Sequence, residues 1–359
     1  MKSIKNKGEE KSSEERMNII EQGGLKEICK VIHSSLEGEM DWNKQYLIEL
    51  GCEAASNLLE DNKESIPFAI EIGGIIDQII SLLNKLPIEN INEFHLLPLF
   101  NIICLSNFEQ RKILAEKGIL KEMNKILNSK NEQVLDYSTY ILMKIIYSIG
   151  QLEGEGKPNP VREEMKKDGT LTKLIEIFQN DQYINKDINS RAACSIGRLY
   201  KASPLPSEIE YAIINCLKEL AICSNYVITS ESFSTLSLLA ECQIGYLEEE
   251  GKPNPLLKEM EKDGTLNKLI QIHQNKTIQD KRIFNYSTLA IGYLFKASPL
   301  PSEFGQSIIS NLQDLTQSDN IILQSDSLLA LSLLAQCEQS CTNTYIRIPS
   351  ILKFKIKQQ

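Results

Sequence analysis

Residues that carry chemistry are scarce in this 359-residue chain. It has one tryptophan, Trp42, and three histidines, His33, His95 and His273, far apart in sequence. Such isolation does not suit a metal site, which needs ligands at close, regular spacing. None of the nine cysteines forms a Cys-x-x-Cys pair, so the common zinc and redox motifs are excluded. No apolar run reaches the roughly 18 residues that a bilayer span requires. The first ten residues hold no apolar core segment, and no secretory leader is expected. Positive charge is also short: Lys and Arg number 39 against 48 Asp and Glu, for a net charge of −9 and a pI near 5.2. A nucleic-acid binder normally shows a basic footprint, so that class is disfavoured, as is attachment to an anionic membrane.

What remains could hold chemistry at only three places. Cys29 and His33 are four apart and share a helix face, the geometry of a nucleophile and its base, but also of a core thiol beside a helix-end histidine. We read the latter. Gly156-Lys157 and Gly251-Lys252 fail as phosphate loops, because Pro158 and Pro253 stand where Ser or Thr is required. The acidic run Glu248-Glu249-Glu250, at a helix end, reads as a solvated loop rather than a metal or substrate site. No catalytic constellation, cofactor or metal site is expected. Most cysteines sit in apolar, helix-like runs and read as small buried hydrophobes of a reducing compartment, cytoplasm first and nucleus second.

What the chain has in abundance is repetition. Gly156-Lys157-Pro158-Asn159-Pro160 returns as Gly251-Lys252-Pro253-Asn254-Pro255, 95 positions on (251 − 156 = 95). Asp168-Gly169-Thr170-Leu171 returns as Asp263-Gly264-Thr265-Leu266, and Lys201-Ala202-Ser203-Pro204-Leu205-Pro206-Ser207-Glu208 as Lys296-Ala297-Ser298-Pro299-Leu300-Pro301-Ser302-Glu303, at the same offset. Residues 150–244 are thus duplicated as 245–339. Each copy predicts a short helix ending at Asp-Gly, a medium helix, and a long helix stopped by two prolines. A two-helix unit follows, starting near Ser207 and Ser302. In the second copy Leu266, Leu269, Ile270 and His273 form one helical stripe.

The N-terminal half repeats more faintly. Gly23-Gly24-Leu25, Gly73-Gly74-Ile75 and Gly118-Ile119 each follow an apolar and acidic stretch and precede a Leu- and Ile-rich helix. We expect Gly24, Gly74, Gly118, Gly169 and Gly264 to separate first from second helices. This signature, recurring at roughly 45 residues, resembles the armadillo repeat, with HEAT-like two-helix units near Ser207 and Ser302. The expected architecture is all-α: a right-handed α-solenoid of armadillo/HEAT type. About seven units would cover residues 15–343, between a disordered polar arm (1–14) and a basic tail (344–359).

The resemblance implies a concave groove lined by third helices, where an aromatic–asparagine pair four apart clamps an extended peptide. Carried over by position, Asn57 and Asn101 fit the asparagine place, with Glu53 and Leu97 where the aromatic belongs. Tyr140 with Lys144, Cys194 with Arg198, and Leu289 with Tyr293 follow. The full ladder is absent, and Trp42 is expected to precede its helix. Asn57, Asn101, Tyr140, Lys144, Arg198 and Tyr293 are the candidate groove residues. The implied role is a non-enzymatic scaffold for a protein or peptide partner, extended and basic. An adaptor regulating an enzyme, such as a chaperone cofactor or a small-GTPase exchange factor, is the alternative. A nuclear-import adaptor is less favoured. In the tail, Arg347, Lys353, Lys355 and Lys357 interleave with apolar residues and no acid appears. Disorder, capping of the last repeat and occupation of the groove all stand open for it, capping ahead of the groove.

Overall fold

The computed structural model describes residues 12–337 except 73, 155–156, 222–227, 229–230, 233, 237, 240–252, 276–280 and 319–320. The tail, Gly156, Glu248-Glu249-Glu250 and Gly251-Lys252 lie outside the described residues. All regular structure among the described residues is helical. The first repeat is α1 (Ser13–Glu21), α2 (Gly24–Ser35) and α3 (Trp42–Leu59). The second opens with short turns at Lys63–Ser65 and Phe68–Ile72, then α4 (Ile75–Lys85) and α5 (Glu93–Leu105). The third is α6 (Phe108–Glu116), α7 (Ile119–Ile126) and α8 (Glu132–Leu152). The fourth is α9 (Arg162–Lys167), α10 (Thr170–Gln179) and α11 (Asp187–Leu199), followed by α12 (Ser207–Leu220). The second copy of the duplication gives α13 (Pro255–Lys262), α14 (Thr265–Gln274) and α15 (Lys281–Leu294), then the helix pair α16 (Ser302–Leu315) and α17 (Ile321–Leu334).

By internal contact the chain forms two compact units, Met1–Glu153 with Pro160–Ile196, and Gly154–Asn159 with Gly197–Gln359. The division does not coincide with the start of the duplicated block near residue 150.

Two boundaries differ from the sequence reading. Helix α1 starts at Ser13, inside the stretch read as a polar arm. Ser12 and Glu15 explain it: Glu15 N–H donates to Ser12 Oγ, and Ser12 N–H donates to the Glu15 carboxylate, a reciprocal cap. In the first repeat the left-handed residue is Gly23 (φ 93°), not Gly24, which already begins α2. A Cβ at Gly24 would meet the Ile19 side chain at 2.6 Å, so the first glycine turns the chain and the second lets α1 approach. Gly74, Gly118, Gly169 and Gly264 take the same left-handed turn.

Packing follows the apolar stripes. In α8, Leu135, Ile141, Leu142, Ile145 and Ile146 are buried, and α5 and α6 pack against it. Long polar side chains tie neighbouring helices by satisfying terminal carbonyls, which a helix leaves without internal partners. Buried Arg111 donates to Ile103 O at the end of α5 (2.8 and 3.0 Å) and to Ser148 Oγ on α8 (3.3 Å). Lys125 on α7 donates to Leu83 O (2.6 Å) and Leu86 O (2.9 Å) at the end of α4.

The duplicated turns are paired in space. Asn159 Nδ2 donates to Arg198 O, and Asn254 Nδ2 donates to Tyr293 O, each at 3.2 Å. Lys201 Nζ adds a bond to Gly154 O (2.6 Å). Asn159 and Asn254 therefore tie their turns to the end of the long helix, which gives the repeated asparagine a structural reason. Inside the Lys-Ala-Ser-Pro motif Ala202 (φ 53°) and Ala297 (φ 48°) adopt the left-handed region, costly for any residue with a Cβ.

Three outcomes follow. Ala202→Gly and Ala297→Gly should each raise stability by about 0.5–1 kcal/mol, the relief of left-handed strain less the added freedom of the unfolded chain. Urea denaturation checks it, and a loss of stability in both would contradict the strain argument. Ile291 and Leu334 are fully buried, so Ile291→Ala and Leu334→Ala should cost about 2–5 kcal/mol. Hydrogen exchange should localise the second loss to the last helix pair.

The third outcome concerns pH. His95 is fully buried and its Nδ1 accepts from Asn92 N–H (3.0 Å) at the start of α5. Burial pushes its pKa down to about 4. The neutral ring is the folded form, so its contribution is complete above the ordinary histidine value and is lost as pH falls from about 6.5 towards 4. His95→Gln, which keeps an acceptor at that capping position, should flatten this part of the stability–pH curve. A curve of unchanged slope would show that another group is responsible.

Candidate functional site

In the first unit the third helices of successive repeats lie side by side, α3 against α5 and α5 against α8. Asn101 Nδ2 donates to Ser56 O (3.1 Å) and Ser56 Oγ (2.9 Å), and Asn92 Nδ2 donates to Glu49 Oε1 (2.7 Å). Arg191 on α11 reaches α8, pairing with the Asp136 carboxylate and donating to Asp136 O (2.9 Å). These links fix the register in which the helices present their outer faces.

Only some of the six candidate residues share that face. Asn57 is exposed on α3. Asn101 is half-buried, with its amide hydrogens committed to Ser56. Tyr140 and Lys144 meet on α8, with Lys144 Nζ 5.3 Å from the Tyr140 ring centre and Arg191 5.2 Å from it. Phe100 packs on Tyr140 and Tyr137, with ring centres 4.9 Å apart in both pairs.

Arg198 and Tyr293 lie elsewhere, in the second unit and inside its packing: Arg198 is 1% exposed and Tyr293 3%. Arg198 pairs with the Glu231 carboxylate, and Tyr293 Oη donates to Asp326 O (3.2 Å). Neither is available to a partner on the surface, which corrects the groove assignment for these two. The sequence argument placed them by helical register, but the register position faces the following repeat here.

This placement also explains why the two copies diverge at these positions. Glu231 and Asp326 are themselves equivalent (326 − 231 = 95). An Arg–Glu ion pair in the first copy is exchanged for a tyrosine-to-backbone bond in the second. A second exchange accompanies it. In the first copy Asn189 caps α10, donating to Ile177 O (2.9 Å) and Asn180 O (2.8 Å). In the second copy its counterpart Phe284 stacks on His273 at 4.8 Å. At these two positions the divergence is accommodated by exchanged packing partners.

Sequence reasoning missed a different row. Trp42 is the first residue of α3, not a residue ahead of it, with Asp41 as the cap accepting from Lys44 N–H (2.9 Å). Trp42 is 74% exposed and its ring stacks on Tyr46 at 5.4 Å. Leu50 continues the stripe one turn on and is exposed. Exposed Phe94 on α5 and half-buried Tyr137 on α8 hold the corresponding place, three residues before the aligned Glu53, Leu97 and Tyr140. Carboxylates flank the row at Glu49, Glu53, Glu93 and Asp136. Tyr137 registers that field: burial, Asp136 and Glu93 all push its hydroxyl pKa up, with Arg191 opposing. The missed signal was a surplus of apolar residues on α3 beyond what one buried stripe requires.

The Cys29–His33 pair resolves as a structural one. Cys29 is buried and its pKa is pushed up to about 11, chiefly by burial and then by Asp77, so the thiolate nucleophile is suppressed. His33 is exposed, 3.5 Å from Glu37.

If Arg198 and Tyr293 serve packing alone, Arg198→Ala should destabilise by about 3–5 kcal/mol through the carboxylate left behind, whereas Tyr293→Phe should cost about 1 kcal/mol. Thermal unfolding of both variants tests this. A fully stable Arg198→Ala protein would return Arg198 to the list of surface contacts.

No family model and no curated protein sequence matches this chain. Solved structures do. The crystal structure of an engineered protein aligns with a TM-score of 0.52 at 16% identity, over 90% of this chain and 71% of that one. A designed armadillo repeat protein aligns at 0.49 and 16% identity, over 74% of this chain and 99% of its own. Another, in complex with the peptide (KR)4, aligns at 0.47 and 18% identity, over 75% and 99%. Identities this low speak to fold and not to function. The chain has an armadillo-like helical repeat fold of the α-solenoid class.

Proposed function

We propose that this chain is a non-enzymatic interaction protein whose first unit holds an extended segment of another protein along the outer faces of α3, α5 and α8. One observation carries the reading: exposed Trp42, Tyr46, Leu50 and Phe94, with half-buried Tyr137 and Tyr140, form a row on neighbouring helices flanked by carboxylates. Side chains of this kind commonly anchor partners, because a large rigid ring buries much area at small entropic cost. The flanking Glu49, Glu53 and Glu93 suit a partner with Lys or Arg between its apolar residues, Asp136 being already paired with Arg191. Asn57, exposed on the same helix, stands ready to bond the partner's backbone. Tyr140 and Lys144 form the far end of the row, where Lys144 would meet an acid or a terminal carboxylate. A long open face is enough for this mode of recognition. We place the protein in the cytoplasm, since Cys29, Cys52, Cys194 and Cys337 are buried as small apolar groups, which suits a reducing compartment.

The test is a screen of the full chain against arrayed extended peptides of alternating basic and apolar composition, repeated with variants. Trp42→Ala with Tyr46→Ala, and Phe94→Ala, should each weaken capture roughly tenfold or more. Tyr211→Ala, an equally exposed aromatic on α12, should leave capture unchanged. Raised salt should weaken it further. Equal capture by the wild type and by the Trp42/Tyr46 and Phe94 variants would remove the proposal.

A further inference from the structure

The exposed apolar side chains of this protein are unevenly distributed. Among the described residues ten large hydrophobics are exposed, and Val31, Met40, Trp42, Tyr46, Leu47 and Leu50 account for six of them. They fall on α2, on α3 and on the loop between. A contiguous exposed apolar patch of this kind marks an interaction surface. Its charge is equally one-sided: from residue 37 to residue 53 stand Glu37, Glu39, Asp41, Glu49 and Glu53, against Lys44 alone. Lys44 is itself engaged, donating to Glu37 O (2.7 Å) and Glu39 O (2.8 Å). The surface is therefore apolar, aromatic and acidic.

One segment of this chain has the complementary composition. Between residues 344 and 359 the charged side chains are Arg347, Lys353, Lys355 and Lys357, all positive, and Phe354 and Ile356 alternate with the lysines. Strict alternation sends lysines to one side of an extended strand and apolar residues to the other. Phe354 and Ile356 would lie on the Trp42, Tyr46 and Leu50 stripe, while the lysines meet the surrounding carboxylates. Lys353 lies sixteen positions beyond Cys337, the last described residue (353 − 337 = 16), a tether that can reach about 55 Å.

We infer that the tail 344–359 of one copy docks on the α2–α3 face of a second copy, so that the protein associates head to tail. The inference rests on the proposed role of the α3 face and names one of its occupants. Such a contact is heterologous: each copy offers one tail and one face, so the assembly grows with concentration. Outside partners would then compete with the tail for Trp42, and self-association would hold the face in reserve until a stronger ligand arrived.

Trp42 is the sole tryptophan, so its emission reports on this face directly. The full chain is followed by fluorescence and light scattering over a wide dilution series. The expected result is a blue shift of Trp42 with reduced acrylamide quenching, growing with concentration in step with mass. In the full chain carrying Lys353→Glu, Lys355→Glu and Lys357→Glu, association should be roughly tenfold or more weaker. A synthetic peptide of residues 344–359, added to that variant, should restore the shift, and Leu50→Asp should abolish it. A blue shift that persists at every dilution with monomeric mass would place the tail on its own chain and overturn the inference, and no shift at all would overturn it too. An unrelated peptide of alternating Lys and Phe separates the two claims. If it shifts Trp42 while the tail peptide does not, the tail assignment falls and the role of the α3 face stands; if neither does, both fall.

Discussion

A repeat of two or three short helices has more apolar surface than it can bury by itself, and the rest of this protein follows from having to share it. Burial alone would let neighbouring helices slide, because apolar contact is not directional. Register comes from polar side chains that cross between repeats and end on backbone carbonyls. Asn101 reaches Ser56, Lys125 reaches the end of α4, and Arg111 ends α5 against α8, while Asn159 and Asn254 close the turns of their own repeats. Arg111 and Lys125 satisfy carbonyls at helix ends, and such links hold only if the two elements keep one alignment.

The same links decide what is left for function. A side chain spent on a neighbour's carbonyl is withdrawn from the surface. Asn101 illustrates the trade: its position suits a partner's backbone, but Ser56 already takes its hydrogens. Asn57 has the same register on α3 and remains exposed, as do Trp42, Tyr46 and Leu50 beside it. The first repeat keeps the chemistry that later repeats consume in packing. The duplicated block shows the other extreme, where Arg198 with Glu231, and Tyr293 with the Asp326 carbonyl, are two answers to one packing requirement. Two copies of one block joined in series risk pairing in the wrong order, and distinct buried pairs at equivalent positions discriminate between them.

Much of the architecture was legible in the amino-acid order. The constant offset of 95, the glycine after each first helix and the paired prolines ending the long helices prescribe helical repeats without any knowledge of contacts. These are local demands: a left-handed turn favours glycine, and proline ends a helix wherever it falls inside one. Cap chemistry was equally local, though the Ser12–Glu15 cap went unread and α1 begins earlier than expected.

The site was a different matter, because exposure is not a local property. Helical periodicity says which residues share a stripe, but every stripe on these helices faces something, and only the stacking decides whether that is solvent or the next repeat. Arg198 and Tyr293 hold a register that would be open in isolation, and the helices beyond cover it. Leu50 and Phe94 look like core residues by composition, and stacking leaves them outside. The sequence by itself determined the helices, their turns and the repeat; the tertiary structure alone decided which faces are covered, because burial depends on the neighbour that arrives and not on the residue that waits.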